Sequence, residues 1–120
     1  MSDPDCLFCK IVAGEIPADI VLETDDAVVF RDIAPQAPVH LLAVPKRHIA
    51  SIAEVGAGDR DLLAGVVEAA NRAGREALGD RGYRIATNVG EEAGQTVFHL
   101  HLHVMGGAPL GPLAVTDHKG

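Results

Sequence analysis

Tryptophan is absent from this 120-residue chain, tyrosine occurs once and phenylalanine three times. Readers of single-stranded nucleic acid need aromatic platforms on which bases stack, so this shortage weighs against that class. The chain also lacks a Lys/Arg cluster that could track a phosphate backbone, and its net charge is −7. Acids concentrate in residues 1–32, where eight of them face only Lys10 and Arg31. No nucleic-acid partner is expected. An anionic small substrate would have to be held by local donors rather than steered by the overall field. No apolar run approaches the length of a membrane span, so no membrane partner is expected. The opening "MSDPDC" lacks the basic and apolar regions of a secretory signal, which makes the cytoplasm the expected location. Two cysteines, Cys6 and Cys9, are too few for a disulfide scaffold and in that compartment read as thiols or metal ligands.

What is present is an aliphatic set of Ala, Val, Leu and Ile, enough for one core in a single domain over residues 1–120. "DCLFCKIVAG" predicts a short helix capped by Asp5 and stopped by Gly14. "IVLETDDAVVFRD" predicts two strands around a turn at Asp25-Asp26. "APQAP" (34–38) must be a loop, and "VHLLAVPKRHI" (39–49) a strand ended at Pro45. Over 58–78, Leu62, Leu63, Val66, Val67, Ala70, Ala73, Ala77 and Leu78 recur at helical spacing. Asp59 and Asp61 suit the start of that helix and Gly79 its end. A strand over 83–89, a polar loop over 90–95 and a strand over 98–105 follow, then an irregular tail (108–120). This order predicts an α+β fold: a five-stranded antiparallel sheet with a long and a short helix on one face.

The last predicted strand, "FHLHLHVM", alternates. Phe98, Leu100, Leu102 and Val104 share one face, and His99, His101 and His103 the other, about 6.7 Å apart along the strand. Three histidines in register point to a metal site or to a catalytic imidazole whose tautomer is fixed by a neighbour. Spacing alone leaves both open. Upstream, Gly90 and Gly94 permit tight backbone geometry, and Asn88, Gln95 and Thr96 offer neutral donors of the kind that hold phosphate oxygens.

"HLHLHVM" resembles the His-φ-His-φ-His-φ-φ signature (φ apolar) of the histidine triad (HIT) family. "CKIVAGEIPA", "FRDIAPQAPVHLLAVPKRHI" and "GYRIATNVGEEAGQTVFHLHLHVMGG" extend the likeness over residues 6–107. The pattern is similar to the Hint branch, the purine nucleoside phosphoramidases, in its zinc-containing bacterial form.

That resemblance implies cleavage of the P–N bond of an AMP-type purine nucleotide through a nucleotidyl-histidine, with His101 as nucleophile. It implies that His103 contacts the phosphate and that His40 supports the nucleophile. Asn88, Gln95, Thr96 and the Val97 N–H match the phosphate loop, and Asp32 matches the acid that takes the ribose hydroxyls. Phe8, Ile11, Phe30, Ile33 and Leu42 match the walls around the base; plain core packing explains such residues equally well. Thr96 stands where many Hint proteins carry Ser; the hydroxyl is kept and χ1 is stiffened. The segment after Gly107 lacks the tryptophan-containing end of some animal relatives, which bears on leaving-group preference. Cys6 and Cys9, with His48 and His99, match a zinc set, one structural ion per chain. His118 matches nothing and reads as solvated. The resemblance implies a homodimer joined through the long helix and a neighbouring strand. Three alternatives remain: a zinc hydrolase with the metal on the triad itself, a nucleotide-binding module that contacts a partner, and a dinucleoside polyphosphate hydrolase.

Overall fold

The computed structural model describes residues 3–113. Helix α1 (Leu7–Val12) leads into β1 (Ile20–Glu23), β2 (Ala27–Arg31) and β3 (Val39–Pro45). The long helix α2 (Arg60–Leu78), β4 (Tyr83–Ala86) and β5 (Leu102–Gly106) follow. All pairings are antiparallel and the strand order is β1-β2-β3-β5-β4. β5 therefore inserts between β3 and β4, and the residues that enter it arrive at the middle of the sheet.

Strand periodicity divides the sheet into two apolar faces. Ala27, Val29, Leu41, Ala43, Leu102 and Val104 pack with Val66, Ala69, Ala70 and Ala73 of α2. Val28, Phe30, Leu42 and Val44 pack with Phe8, Cys9 and Ile11 of α1. The expectation of both helices on one face is thus corrected. β2 and β3 are apolar at nearly every position, and a strand of that composition has two faces to bury. The alanine stripe of α2 lets the helix lie close to the sheet. At Gly74 a Cβ would come within 2.8 Å of the Tyr83 ring.

α1 ends as expected: Gly14 takes φ +77, and the Glu15 N–H closes back on the Lys10 carbonyl at 2.9 Å, a Schellman arrangement. Its start differs. Cys6, not Asp5, is the N-cap, its sulfur accepting from the Cys9 N–H at 3.3 Å. The β1–β2 turn is held by Thr24 Oγ1, which accepts from the Asp26 and Ala27 N–H groups at 3.2 and 3.0 Å. The Asp59 carboxylate accepts from the Gly56 N–H at 2.9 Å and pairs with Arg47, so it braces the turn before α2 rather than capping the helix by its side chain. β4 ends at Ala86 instead of 89.

The largest correction concerns the histidine segment. Regular strand starts only at Leu102. Residues 97–99 bend, which turns Phe98 outward to 48% exposure while His99 is fully buried. Only Leu102 and Val104 face the α2 core, and His99 leaves the row it was expected to share with His101 and His103. The structure is irregular from Ala108 to Leu113; His118 lies outside the described residues.

Candidate active site

The bend at 97–99 sends the three histidines to two clusters. His99 turns toward α1. Its Nδ1 lies 3.3 Å from Cys6 Sγ, 3.4 Å from Cys9 Sγ and 3.2 Å from His48 Nδ1. His48 Nδ1 is 3.3 Å from Cys9 Sγ. Tetrahedral bonds of zinc-like length place ligand atoms about 3.3–3.8 Å apart, so these four atoms, all within 4.8 Å of one another, stand at the edges of one coordination shell. Burial pushes the Cys6 thiol up and the His99 ring down to about 4. The two shifts oppose charge separation inside the protein, and a bound cation is the partner that thiolate and neutral imidazole both suit. His99 Nε2 donates to the Pro45 carbonyl at 2.8 Å, the outer contact that frees Nδ1 for a metal. The group can hold a metal ion, and the sequence-predicted set of Cys6, Cys9, His48 and His99 is brought together in full.

His101 and His103 belong to the second cluster, at a cavity of about 330 Å³. β5 carries His103 opposite Leu42, with His40 one diagonal step away on β3, a separation that long side chains bridge. His40 Nε2 meets His103 Nδ1 at 2.9 Å and lies 3.4 Å from Asp32 Oδ2. His40 Nδ1 accepts from the Gln36 N–H at 3.0 Å. Burial holds His40 below the ordinary imidazole range, with the Asp32 carboxylate acting against it. For His103 burial, aided by His101 and His40 and opposed by Asp32, brings the ring down to about 4. Both rings are neutral near pH 7.

His101 Nδ1 lies 2.7 Å from the His99 carbonyl oxygen. A carbonyl only accepts, so Nδ1 bears a proton, and in the neutral ring Nε2 is the nitrogen with the lone pair. The ring is wedged between Phe8 and His103, with centroids at 5.1 and 5.0 Å. An imidazole held in this way at a cavity wall can act through Nε2 as a nucleophile or a base.

Phe8, Ile11, Phe30, Ile33, Leu42, Asp32, Thr96, Val97, His101 and His103 all line the cavity. Ile33 does so at the rim, 98% exposed. His40 stands behind His103. Asn88 is half buried beside the loop, its Nδ2 3.6 Å from where a Cβ of Gly94 would be, and is not a cavity wall. Gln95 departs from expectation. It is 2% exposed and its amide is consumed internally: Oε1 accepts from the Gly90 N–H at 2.9 Å, and Nε2 donates to the Ala50 and Val97 carbonyls at 2.8 and 3.1 Å. Its own N–H goes to the Gly90 carbonyl at 3.0 Å. Gln95 is the internal brace of the 90–97 loop, which turns through Gly90 (φ +83) and Gly94 (φ +104).

Sequence reasoning missed several participants. Thr87 Oγ1 donates to the His101 carbonyl at 2.8 Å. Leu7, Ile16, Pro17, Ala18 and Arg31 complete the cavity wall, and the Pro45 carbonyl and Gln36 N–H set ring orientation. The backbone groups leave no trace in residue type. Thr87 fell inside the strand expected over 83–89, and nothing in the chain indicated its partner.

A family model described as "Scavenger mRNA decapping enzyme C-term binding" matches residues 5–112. The purine nucleoside phosphoramidase of Escherichia coli K12 is 41% identical over 117 residues, 97% of each chain. An uncharacterised HIT-like protein of Synechococcus elongatus is 48% identical over 107 residues, 88% of this chain and 93% of its own. Among solved structures, a HIT family hydrolase from Clostridium thermocellum superposes with a TM-score of 0.90 at 41% identity, over 95% of this chain and 100% of its own. A histidine triad protein from Clostridium difficile gives 0.89 at 37%, with the same coverage. With its fold, its histidine segment and near-complete coverage all in agreement, the chain belongs to the histidine triad (HIT) family.

Proposed function

We propose that this protein is a hydrolase of purine nucleoside 5′-phosphoramidates that releases AMP or its purine equivalent through a nucleotidyl-histidine on His101. The observation that carries this reading is the 2.7 Å contact from His101 Nδ1 to the His99 carbonyl, which assigns a proton to Nδ1 and makes Nε2 the lone-pair nitrogen of the neutral ring, in a side chain that lines the cavity. The name of the 41% identical Escherichia coli relative supports the substrate class.

In the first step the Nε2 lone pair of His101 attacks the α-phosphorus. An N–P bond forms, the P–N bond to the amine breaks, and the amine departs with a proton taken from solvent. The imidazolium that results is stabilised through its Nδ1–H by the His99 carbonyl, as a triad histidine is steadied by its acceptor. Water then attacks phosphorus, the His101 N–P bond breaks, and the nucleoside monophosphate leaves a neutral ring behind. His103 and the Val97 N–H are donors for the phosphoryl oxygens, Thr96 supplies a hydroxyl at the same wall, and Asn88 steadies the loop beside them. Asp32 accepts from the ribose hydroxyls, and Phe8, Ile11, Phe30, Ile33 and Leu42 enclose the base. Gln95 acts on the loop, not on the nucleotide.

Zinc fits Cys6, Cys9, His48 and His99. Four protein ligands would close a tetrahedral shell, so a bound ion would contribute stability by tying α1 to the segments after β3 and before β5. A cytoplasmic location accords with two free thiols at that site. Among the described residues no helix is long and apolar enough to cross a membrane. A homodimer is also part of this reading: β4 is a sheet edge, and Val67 of α2 and Ile85 of β4 are 45% and 38% exposed.

The test is AMP release from adenosine 5′-phosphoramidate by the wild type, by chelator-treated protein that is still folded, and by His101→Ala. Activity that survives chelation and disappears in His101→Ala is the expected result. A folded wild type that releases no AMP, or a chelated and folded protein that is inert, overturns the mechanism.

A further inference from the structure

We propose that the backbone N–H of Gln36, by capping Nδ1 of His40, fixes the order of protons along the His40–His103 pair, so that His103 presents an N–H to the phosphoryl group. The kinetic consequence rests on the phosphoramidase reading; the proton order does not.

An amide N–H only donates. At 3.0 Å from His40 Nδ1 it marks that nitrogen as the bare one, and a neutral imidazole then carries its proton on Nε2. The other side of the ring is compatible with that order. Nε2 lies 2.9 Å from His103 Nδ1 and 3.4 Å from Asp32 Oδ2, and the proton it carries goes to the nearer ring nitrogen. His103 Nδ1 is therefore an acceptor and its proton sits on Nε2. His103 is a cavity wall and His40 is not, so the chain of donors runs from the loop, through His40 and His103, into the site.

This chain has one direction. The amide of Gln36 does not surrender its proton, so His40 has nothing with which to replace a proton passed forward. His103 is consequently a fixed neutral donor, comparable to other imidazoles that polarise a substrate without becoming charged, and the leaving amine draws its proton from solvent. The same order explains why the trio of Asp32, His40 and His103, whose polar atoms lie within 4.8 Å of one another, is a poor metal site. The space between the rings holds a proton, and His40 accepts at the nitrogen where a metal-bound imidazole would donate. Gln36 is a positioning residue, and it acts through its main chain. Its side-chain amide turns aside to the Ala34 carbonyl at 3.2 Å.

Long-range proton–nitrogen NMR of the zinc-loaded protein at pH 7 reads the tautomers directly. The expected result is Nε2–H on both His40 and His103; Nδ1–H on either ring overturns the proposal. Gln36→Pro removes the main-chain donor and fixes φ, while Gln36→Ala loses the same side chain and retains the donor. Gln36→Pro is expected to show Nδ1–H on His40, and a kcat on adenosine 5′-phosphoramidate about ten-fold below that of Gln36→Ala with KM within about two-fold, as for partial loss of an oriented donor. Unchanged tautomers in a folded Gln36→Pro overturn the proposal. Should that variant not fold, the wild-type spectrum decides alone. Nε2–H tautomers in a protein inert toward phosphoramidates would support the proton order and defeat the functional reading.

Discussion

The carbonyl oxygen of His99 accepts from Nδ1 of His101 at 2.7 Å, while the side chain of His99 belongs to the Cys6, Cys9 and His48 cluster. One residue thus anchors the metal-type site with its ring and orients the proposed nucleophile with its backbone.

Removing His101 tests the chemistry with little disturbance to the fold. His101→Ala is expected to lower kcat by at least about 10³-fold, as loss of a nucleophile does, with thermal stability changed by only a few degrees. Single-turnover assays with trapping of the nucleotidylated intermediate check it: wild type labels and the variant does not.

Metal removal should act on stability before chemistry. Cys9→Ser is expected to lose zinc and to lower the melting temperature by roughly ten degrees or more, since structural zinc sites contribute folding energy directly. Metal analysis with calorimetry checks this. A variant that keeps a full equivalent of zinc would remove Cys9 from the ligand set.

Acid should destabilise the protein through the buried imidazoles. His103 is lowered to about 4 and His40 is also lowered by burial, whereas in the unfolded chain both titrate near their ordinary value of about 6.5. Between about pH 6.5 and pH 4 the unfolded state therefore binds more protons. By linkage, stability is complete above about 6.5 and declines as pH falls through that window. Urea midpoints at pH 7 and pH 5 should fall in that order, and the difference should shrink in His103→Asn.

Phe8 joins the core to the site. Its ring packs edge-on against Phe30 at 5.4 Å and against His101 at 5.1 Å. Phe8→Ala is expected to cost about 3–5 kcal/mol in stability and to raise KM for the nucleotide more than Phe8→Leu does. Denaturant titration and steady-state kinetics on the two variants measure both effects.

Much of this molecule could be read from residue order. Helical spacing over 58–78 marked α2 to within a few residues, and the apolar β2 and β3 were visible as strands. The cysteine pair and His48 were identified as one site only through the family likeness; periodicity had nothing to say about contacts 39 to 93 residues apart. Alternation failed at residues 97–99, because the pull of the cysteine cluster on His99 outweighs the strand pattern there. Composition suggested that Gln95 would face a ligand, yet a buried amide with three internal partners looks identical in sequence to one that waits for phosphate. Backbone participants such as Gln36 and Pro45 are invisible to any reading of side chains.

The alternation of β2, β3 and β5 between an α2 face and an α1 face has a practical reach. Positions Val29, Leu41, Ala43, Leu102 and Val104 pack toward α2, one residue out of phase with Phe30, His40, Leu42 and His103 on the cavity side. An engineer can repack the first set for heat tolerance, or vary Phe30 and Leu42 of the second to reshape the cavity, on the same three strands. The two libraries would be nearly orthogonal.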